Sequence, residues 1–494
     1  MVKSKAIEII RKFSVKEAES FLEFIESPFF NKKKKLTEMF ICIKNNMNKL
    51  DEKEMTEEIL FSDLFKGKEF SYSFVRNLMS EMLNQCELFL VFNELKNNSF
   101  SDTMIKRILL KEYNKRFLDS HFSLKYKNIQ KEFKETKIDF EYFDRLGKIE
   151  AENITFDLYR SSMENVPQKL LKRSEYHLCF IFQLLEFDII DLTVNAAAFN
   201  LNFENELMFE FLKSIDIERF LGIIKSRKSP LAEELEVRLR LIKLSNDSDN
   251  TENFFKLKEL IYKKINEYTN SEKLNMFIKL KNYCAVRIYK GDKKFYEEKY
   301  LISKREFESV KFNSEGVGPL FTNAFLEVVQ TAVHKNETEY AEKLINEFSH
   351  HLEKSKQRSV HNLALAFVEF SRGNFENTLK CLSEVNAFNI LMKNNSKLLY
   401  LKTYYEMNSL ESGLSLLDSF IHYINETKEL NESRKTALKK NYDFIRKLYR
   451  IKLNPEKHTR YDIDKVKEEI ESSGINFNEW YICKLDELRK SVKK

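Results

Sequence analysis

The stretch Gly373-Asn374-Phe375-Glu376-Asn377-Thr378-Leu379-Lys380-Cys381-Leu382 sets one glycine between two helical patterns. Before it, Leu365, Ala366 and Phe370 recur at helical spacing; after it the apolar positions resume at once. A glycine there reads as the turn between two antiparallel helices. Elsewhere such punctuation is scarce. The 494 residues hold 9 Gly and 5 Pro, where average usage gives about 35 and 25. Glycine supplies the positive φ of tight hairpins and the close backbone approach of phosphate-cradling loops. Its shortage argues against sandwiches, propellers, linker-rich disorder and most doubly wound nucleotide folds. An all-α chain remains.

Hydrophobic residues make up 43% and aromatics 13%, enough for a continuous core, and 32% charged residues argue against disorder. Lys+Arg number 83 and Asp+Glu 77, a net charge of +6, so no global basic field of the nucleic-acid-coating kind exists. The first eleven residues lack the apolar run of a secretory leader. No stretch approaches the roughly 18 apolar residues of a membrane span. Six cysteines (Cys42, Cys86, Cys179, Cys284, Cys381 and Cys483) contain no CxxC pair and read as reduced thiols, pointing to the cytoplasm.

Along the chain, Ser14-Val15-Lys16-Glu17 has the pattern of a capping box. The helix it opens carries Phe21, Leu22 and Ile25 and must stop before Pro28. Phe29 and Phe30 then read as a buried plug at a helix–helix turn. Leu64-Phe65-Lys66-Gly67-Lys68 reads as a helix stop, followed by a helix with Val75, Leu78, Met79, Met82, Cys86 and Phe89 on one face. Asn97-Asn98-Ser99 closes this first module. Pro167 and Pro230 mark turns, Asn246 to Asn253 is the clearest loop, and Gly316-Val317-Gly318-Pro319 is the other firm interruption.

Two resemblances follow. Gly373 to Leu382 resembles the turn and second helix of a tetratricopeptide repeat, in which a small residue lets the helices cross closely. With Thr378 at that position, Ala341 lies 37 residues earlier and Gly413 lies 35 later. Val328 and Ala332, then Leu365, Ala366 and Phe370, then Tyr400, Leu401 and Tyr404 fit the first helices. Residues 318–426 thus resemble three degenerate repeats, lacking the family's terminal Pro and with Leu401 at a normally small position. Repeat proteins that clamp carboxylate tails hold Lys and Asn on their first helices; here only Lys402 matches, with Leu363, Phe367 and Leu398 elsewhere, which argues against a chaperone-tail ligand. The N-terminal region is similar, through Ser27 to Lys32 and through Arg76, Leu78, Met79 and Ser80, to a group of uncharacterised bacterial helical proteins, a resemblance that implies no activity.

Catalytic signatures are missing from the sequence. It contains no GxxxxGK[ST], GxSxG or HExxH, and the single GxG, at Gly316 and Gly318, precedes a proline. His350, His351 and His361 form the one local histidine group. Glu347 and His351 share a helix face at metal-ligand spacing, but a solvated helix end explains them better. The reading is therefore no cofactor, no metal and no catalytic residue.

One charge constellation rises above background. Between Arg434 and Arg460 ten basic residues face two acidic ones, +8 over 27 residues. Leu438, Tyr442, Ile445 and Tyr449 line one helical face, leaving Arg434, Lys435, Lys439, Lys440, Arg446, Lys447 and Arg450 as a candidate partner-binding basic patch. Such a helix suits nucleic-acid phosphates, an acidic protein or an anionic membrane surface, or else a polar end cap for stacked helices.

The expected organisation is an N-terminal helical module at 1–97 and a helical-pair region at 98–250. A tetratricopeptide-like solenoid follows at 251–430, and capping helices with the basic amphipathic helix at 431–494. The expected function is a non-catalytic scaffold or adaptor that holds another protein or peptide on a concave helical face. The alternatives are a nucleic-acid-associated regulator that uses residues 434–460, and an enzyme with a dispersed site.

Overall fold

The computed structural model describes residues 4–50, 56–65, 69–97, 99–199, 206–226, 229–246, 249–314, 317–427, 430, 432–473 and 479–492. Gly67, Gly316 and Asn98 lie outside them, as does the side chain of Arg434. The fold is all-α. Among the described residues there are 24 α-helices and two isolated β-bridges but no strand.

The chain forms two compact units, one of residues 1–135 and 145–173, the other of 136–144 and 174–494. The stretch expected as the first module lies in the first unit. Both stretches after residue 250 lie in the second, and 98–250 divides between the two. In order, the helices are α1 (Lys5–Ile10), α2 (Val15–Glu26), α3 (Lys34–Asn45), α4 (Glu57–Leu60), α5 (Tyr72–Asn97), α6 (Ser99–Lys115), α7 (Asp119–Glu135), α8 (Tyr142–Tyr159) and α9 (Val166–Phe199). Next come α10 (Leu207–Ser214), α11 (Ile217–Ser226), α12 (Ala232–Asn246), α13 (Thr251–Lys264), α14 (Asn270–Tyr289), α15 (Lys294–Ser309), α16 (Thr322–His334) and α17 (Thr338–Phe348). The last are α18 (Gln357–Ser371), α19 (Phe375–Ser383), α20 (Ile390–Glu406), α21 (Leu410–Glu426), α22 (Glu432–Leu453), α23 (Arg460–Ser472) and α24 (Glu479–Ser491).

In the first unit, local chemistry acts as read. The Ser14 hydroxyl accepts from the Glu17 amide, and the Glu17 carboxylate accepts from the Ser14 amide at 2.8 Å. Helix α2 stops at Glu26, with Ser27 extended ahead of Pro28. The α5 stripe from Val75 to Phe89 is buried with Phe21, Phe40 and Ile43 in one core. The aromatic plug needs correcting. Phe30 stacks on Phe24 with ring centroids 4.1 Å apart, but Phe29 is 85% exposed. Two adjacent residues in a turn point in different directions, so only one of them reaches the core.

In the second unit, each helix from α16 to α22 adjoins the next, and α16, α18, α20, α22 and α24 adjoin in succession. Left-handed residues end four first helices: Gly291 (φ 93°), Asn336 (φ 60°), Gly373 (φ 76°) and Asn408 (φ 60°). After each, the next amide donates to the carbonyl five residues back, at 3.0 Å (Asp292 to Arg287), 2.9 Å (Glu337 to Ala332), 3.0 Å (Asn374 to Glu369) and 2.8 Å (Ser409 to Tyr404). This is one helix-stop motif used four times, with Asn taking the place of Gly twice. Asparagine tolerates the left-handed region through local hydrogen bonding, which is how so glycine-poor a chain makes its turns.

The three small positions, Ala341, Thr378 and Gly413, are all buried. At Gly413 the closest neighbour comes from α22: a Cβ added there would lie 2.2 Å from the Tyr449 hydroxyl oxygen and 2.3 Å from its ring. The Tyr449 hydroxyl donates to the Leu401 carbonyl at 2.6 Å. One ring thereby fixes α20, α21 and α22 together. Gly413→Ala is expected to cost about 1–3 kcal/mol through overpacking. Chemical denaturation should show a smaller loss when the same change is made in a Tyr449→Leu background; equal losses in both would contradict the close approach.

Candidate binding site

The basic residues of α22 do not form one free surface. Lys435 is 9% exposed, and its ammonium donates to the Asn425 carbonyl at 3.1 Å. Lys440 reaches the Ser473 carbonyl at 3.5 Å. Arg446 pairs with Asp418 at 2.8 Å, and Lys447 pairs with Glu469. Lys439 and Arg450 are left without an ion pair or side-chain hydrogen bond among the described residues. The opposite face behaves as its spacing predicts: Tyr442, Ile445 and Tyr449 are fully buried, and Leu438 packs against the same core.

The other side of this core carries a cavity of about 330 Å³. Its walls come from α16, α18, α20, α22 and α24. Along α20, Asn395, Leu398, Leu399 and Lys402 line it at i, i+3, i+4 and i+7, one stripe of a helix. Phe367 and Phe370 of α18 and Trp480 of α24 supply apolar surface, while Gln330 of α16 and Asn441 of α22 add amides. The Trp480 indole is held by its N–H, which donates to Glu406 at 2.7 Å, and Lys484 pairs with the same carboxylate at 2.9 Å. Gln330, Asn395 and Asn441 have no side-chain hydrogen-bond partner among the described residues.

Lys402 is the one cation of this wall. Its ammonium lies 5.1 Å from the Trp480 ring centre and 5.0 Å from that of Tyr481, and no carboxylate among the described residues pairs with it. Burial pushes its pKa down to about 8, with the Glu479 carboxylate pulling the other way. Burial and the Lys402 charge together push the His334 imidazole down to about 4. A second groove of about 700 Å³ adjoins, sharing Gln330, His334 and Asn395. Its charges are largely matched, Lys299 with Glu327 and Lys335 with Glu297.

The sequence reading picked out Lys402 but missed Gln330, Asn395, Asn441 and Trp480. Helix α20 is buried on more than one face, so no single hydrophobic stripe marks the side that lines a cavity. Of the histidine group, His351 lies 3.3 Å from the Asn313 amide and His361 lies 3.1 Å from the Ser349 hydroxyl. Among the described residues no cluster of His, Cys, Asp or Glu is placed to hold a metal.

A buried ionic cluster went unread as well. Arg238 of α12, wholly inaccessible, donates to Glu234 at 2.8 Å, Glu272 at 2.7 Å and Glu186 at 3.2 Å. Tyr268 donates to Glu234 at 2.8 Å, and Lys279 pairs with Glu186. Burial disfavours the guanidinium charge, but the carboxylates of Glu234 and Glu272 more than offset it and raise its pKa. The i, i+4 spacing of Glu234 and Arg238 was the available signal; Glu186 and Glu272 come from distant helices.

No helix among the described residues is long and apolar enough to cross a membrane. Comparison of the chain with family models, curated proteins and solved structures finds no match.

The two charged sites differ in what they do for stability. Arg238→Met strands buried carboxylates and should cost about 3–5 kcal/mol in denaturant unfolding. Lys402→Met should do the reverse at pH 7. A base whose pKa falls from 10.5 to about 8 on folding makes the fold carry the full cost of its charge below pH 8. That cost disappears between pH 8 and 10.5, where the unfolded chain keeps the proton that the fold releases. The variant should therefore gain about 1 kcal/mol at pH 7, with the gain shrinking as pH rises through that window. A loss at pH 7 would show that Lys402 is a structural group.

Proposed function

We propose that this chain is a non-catalytic binding protein in which tetratricopeptide-like helix pairs present a concave face to a partner protein or peptide. The observation that carries the reading is the cavity between α16 and α24, where one ammonium and three amides point at no partner among the described residues. These half-buried groups keep hydrogen-bonding capacity that the fold does not use, and a ligand supplies the missing partners. A cation, amides and aromatic walls form a recognition set.

The helix pairs support the repeat reading through their shared left-handed stop and the succession of α16, α18, α20 and α22 along one side. The six cysteines form no disulfide among the described residues, which fits a reducing compartment such as the cytoplasm. Ion pairs from Arg446 and Lys447 to neighbouring helices favour this face over the basic helix as the partner surface.

A photo-crosslinking amino acid at Asn395 should capture a partner in the native host, and one at the exposed Lys380 of α19 should not. Phe367→Asp, which places a charge on the cavity wall, should abolish the capture. Equal capture at both positions, or capture that survives Phe367→Asp, would move the partner surface elsewhere.

A further inference from the structure

Two other segments of the second unit are fastened to the start of α14. Ile138 forms a parallel bridge with Tyr268: its amide donates to the Glu267 carbonyl at 2.7 Å, and its carbonyl accepts from the Thr269 amide at 2.9 Å. From the segment after α15, the Lys311 amide donates to the Asn270 side chain at 3.4 Å, and that side chain donates to the Ser314 hydroxyl at 3.2 Å. Each segment thereby brings a lysine to this end of the helix, Lys137 beside the bridge and Lys311 beside Asn270. Lys273, in the first turn of α14, donates from its ammonium to the Ser309 carbonyl at 3.2 Å. Arg305 stands one turn before Ser309 on the same helix.

Four cations share this neighbourhood, and the carboxylates near them are engaged elsewhere. Lys273 is only 5% exposed, yet no carboxylate pairs with it among the described residues. Arg240, equally buried, has Glu236, and Lys264 has Glu267. Lys137 and Lys311 are exposed, and their side chains have neither an ion pair nor a hydrogen bond among the described residues. Of the acids close by in the chain, Glu267 is held by Lys264 at 2.6 Å, Glu272 by Arg238 at 2.7 Å and Glu308 by Arg305 at 3.3 Å. Asp139 accepts from the Glu141 amide at 3.0 Å. Burial first, and then the charges of Lys137, Lys311 and Arg305, push the Lys273 pKa down. The Thr269 hydroxyl already caps α14 by accepting from the Glu272 amide, so the attraction for an anion comes from the side chains.

Three unpaired lysines call for more than one negative charge. A monoanion leaves most of this field unmatched, whereas adjacent phosphates concentrate several charges in a small volume. Ammonium groups bind phosphate as point charges. We propose that Lys137, Lys273 and Lys311, with Arg305 beside them, form a second binding site, one that takes an oligophosphate. Two sources carry that chemistry, an inorganic phosphate chain and the triphosphate tail of a nucleotide. The cavity between α16 and α24 takes none of its lining from these segments, so this site does not depend on the partner reading.

Calorimetric titration of the full-length protein at about 50 mM salt, where surface charges are least screened, and without divalent cations tests the site. Tripolyphosphate should bind at least about tenfold tighter than orthophosphate, and acetate should not bind. Lys273→Met should weaken tripolyphosphate by about tenfold or more. The double variant Lys137→Gln/Lys311→Gln should do the same with circular dichroism unchanged, and it decides the matter if Lys273→Met unfolds the chain. Lys439→Gln/Arg450→Gln, which removes the unpaired cations of α22, should stay within about twofold of the unaltered protein. ATP binding more tightly than tripolyphosphate identifies a nucleotide as the source; equal or weaker binding identifies the phosphate chain itself.

The assignment is overturned if neither tripolyphosphate nor ATP binds, if acetate matches them, or if affinity survives the Lys137/Lys311 change. An equal loss on changing Lys439 and Arg450 overturns it as well, since the binding would then follow overall charge. So does tighter binding of a single-stranded DNA dodecamer without terminal phosphates, which would make these lysines part of a nucleic-acid track.

Discussion

The ring of Tyr449 rests against the bare backbone of Gly413, and its hydroxyl donates to the Leu401 carbonyl. Three helices meet at this one side chain. A Cβ at 413 would overlap the ring, so α21 and α22 approach this closely only because residue 413 has none. The bonded carbonyl precedes Lys402 directly, so the contact that sets the spacing of α20 against α22 also sets where the ammonium projects. Tyr442, two turns earlier on α22, repeats the device by donating to Asn394 at 2.7 Å, next to Asn395. Two tyrosines thus hold α20 from one side and leave its Asn395–Lys402 stripe to face the cavity.

Burial makes opposite demands on the two charged centres of the second unit. Around Arg238, carboxylates from α9, α12 and α14 surround one guanidinium, and the cluster ties together helices that are far apart in sequence. A buried pair of this kind adds little net stability, but breaking it costs much, because the surviving charge stays buried. Lys402 has no such enclosure. Burial lowers its pKa, the direction expected of a charge that the fold holds without a counter-ion.

Much of the secondary structure could be read locally. The Ser14–Glu17 box, the stop before Pro28, the buried stripe of α5 and the inner face of α22 all depend on residues within a few turns of each other. Reading failed where the deciding partner lay elsewhere in the chain. Arg446 and Lys447 look like a free basic patch until Asp418 of α21 and Glu469 of α23 are brought beside them. Phe29 and Phe30 are equivalent in sequence, yet only Phe30 meets Phe24 and Phe92. Asn336 and Asn408 perform the helix stop that the scarcity of glycine appeared to confine to a few positions.

The sequence by itself determined that the chain is helical, where helices such as α2 start and stop, and which faces of α5 and α22 turn inward. Those properties follow from backbone propensity, capping and periodicity, which act over a few residues. Only the tertiary structure decided which charges are neutralised and which remain without a counter-ion. Pairing depends on side chains brought within about 4 Å across helices, and for Lys402 it is the packing of α20, α22 and α24 that places an ammonium among aromatics and amides with no carboxylate to pair with it among the described residues.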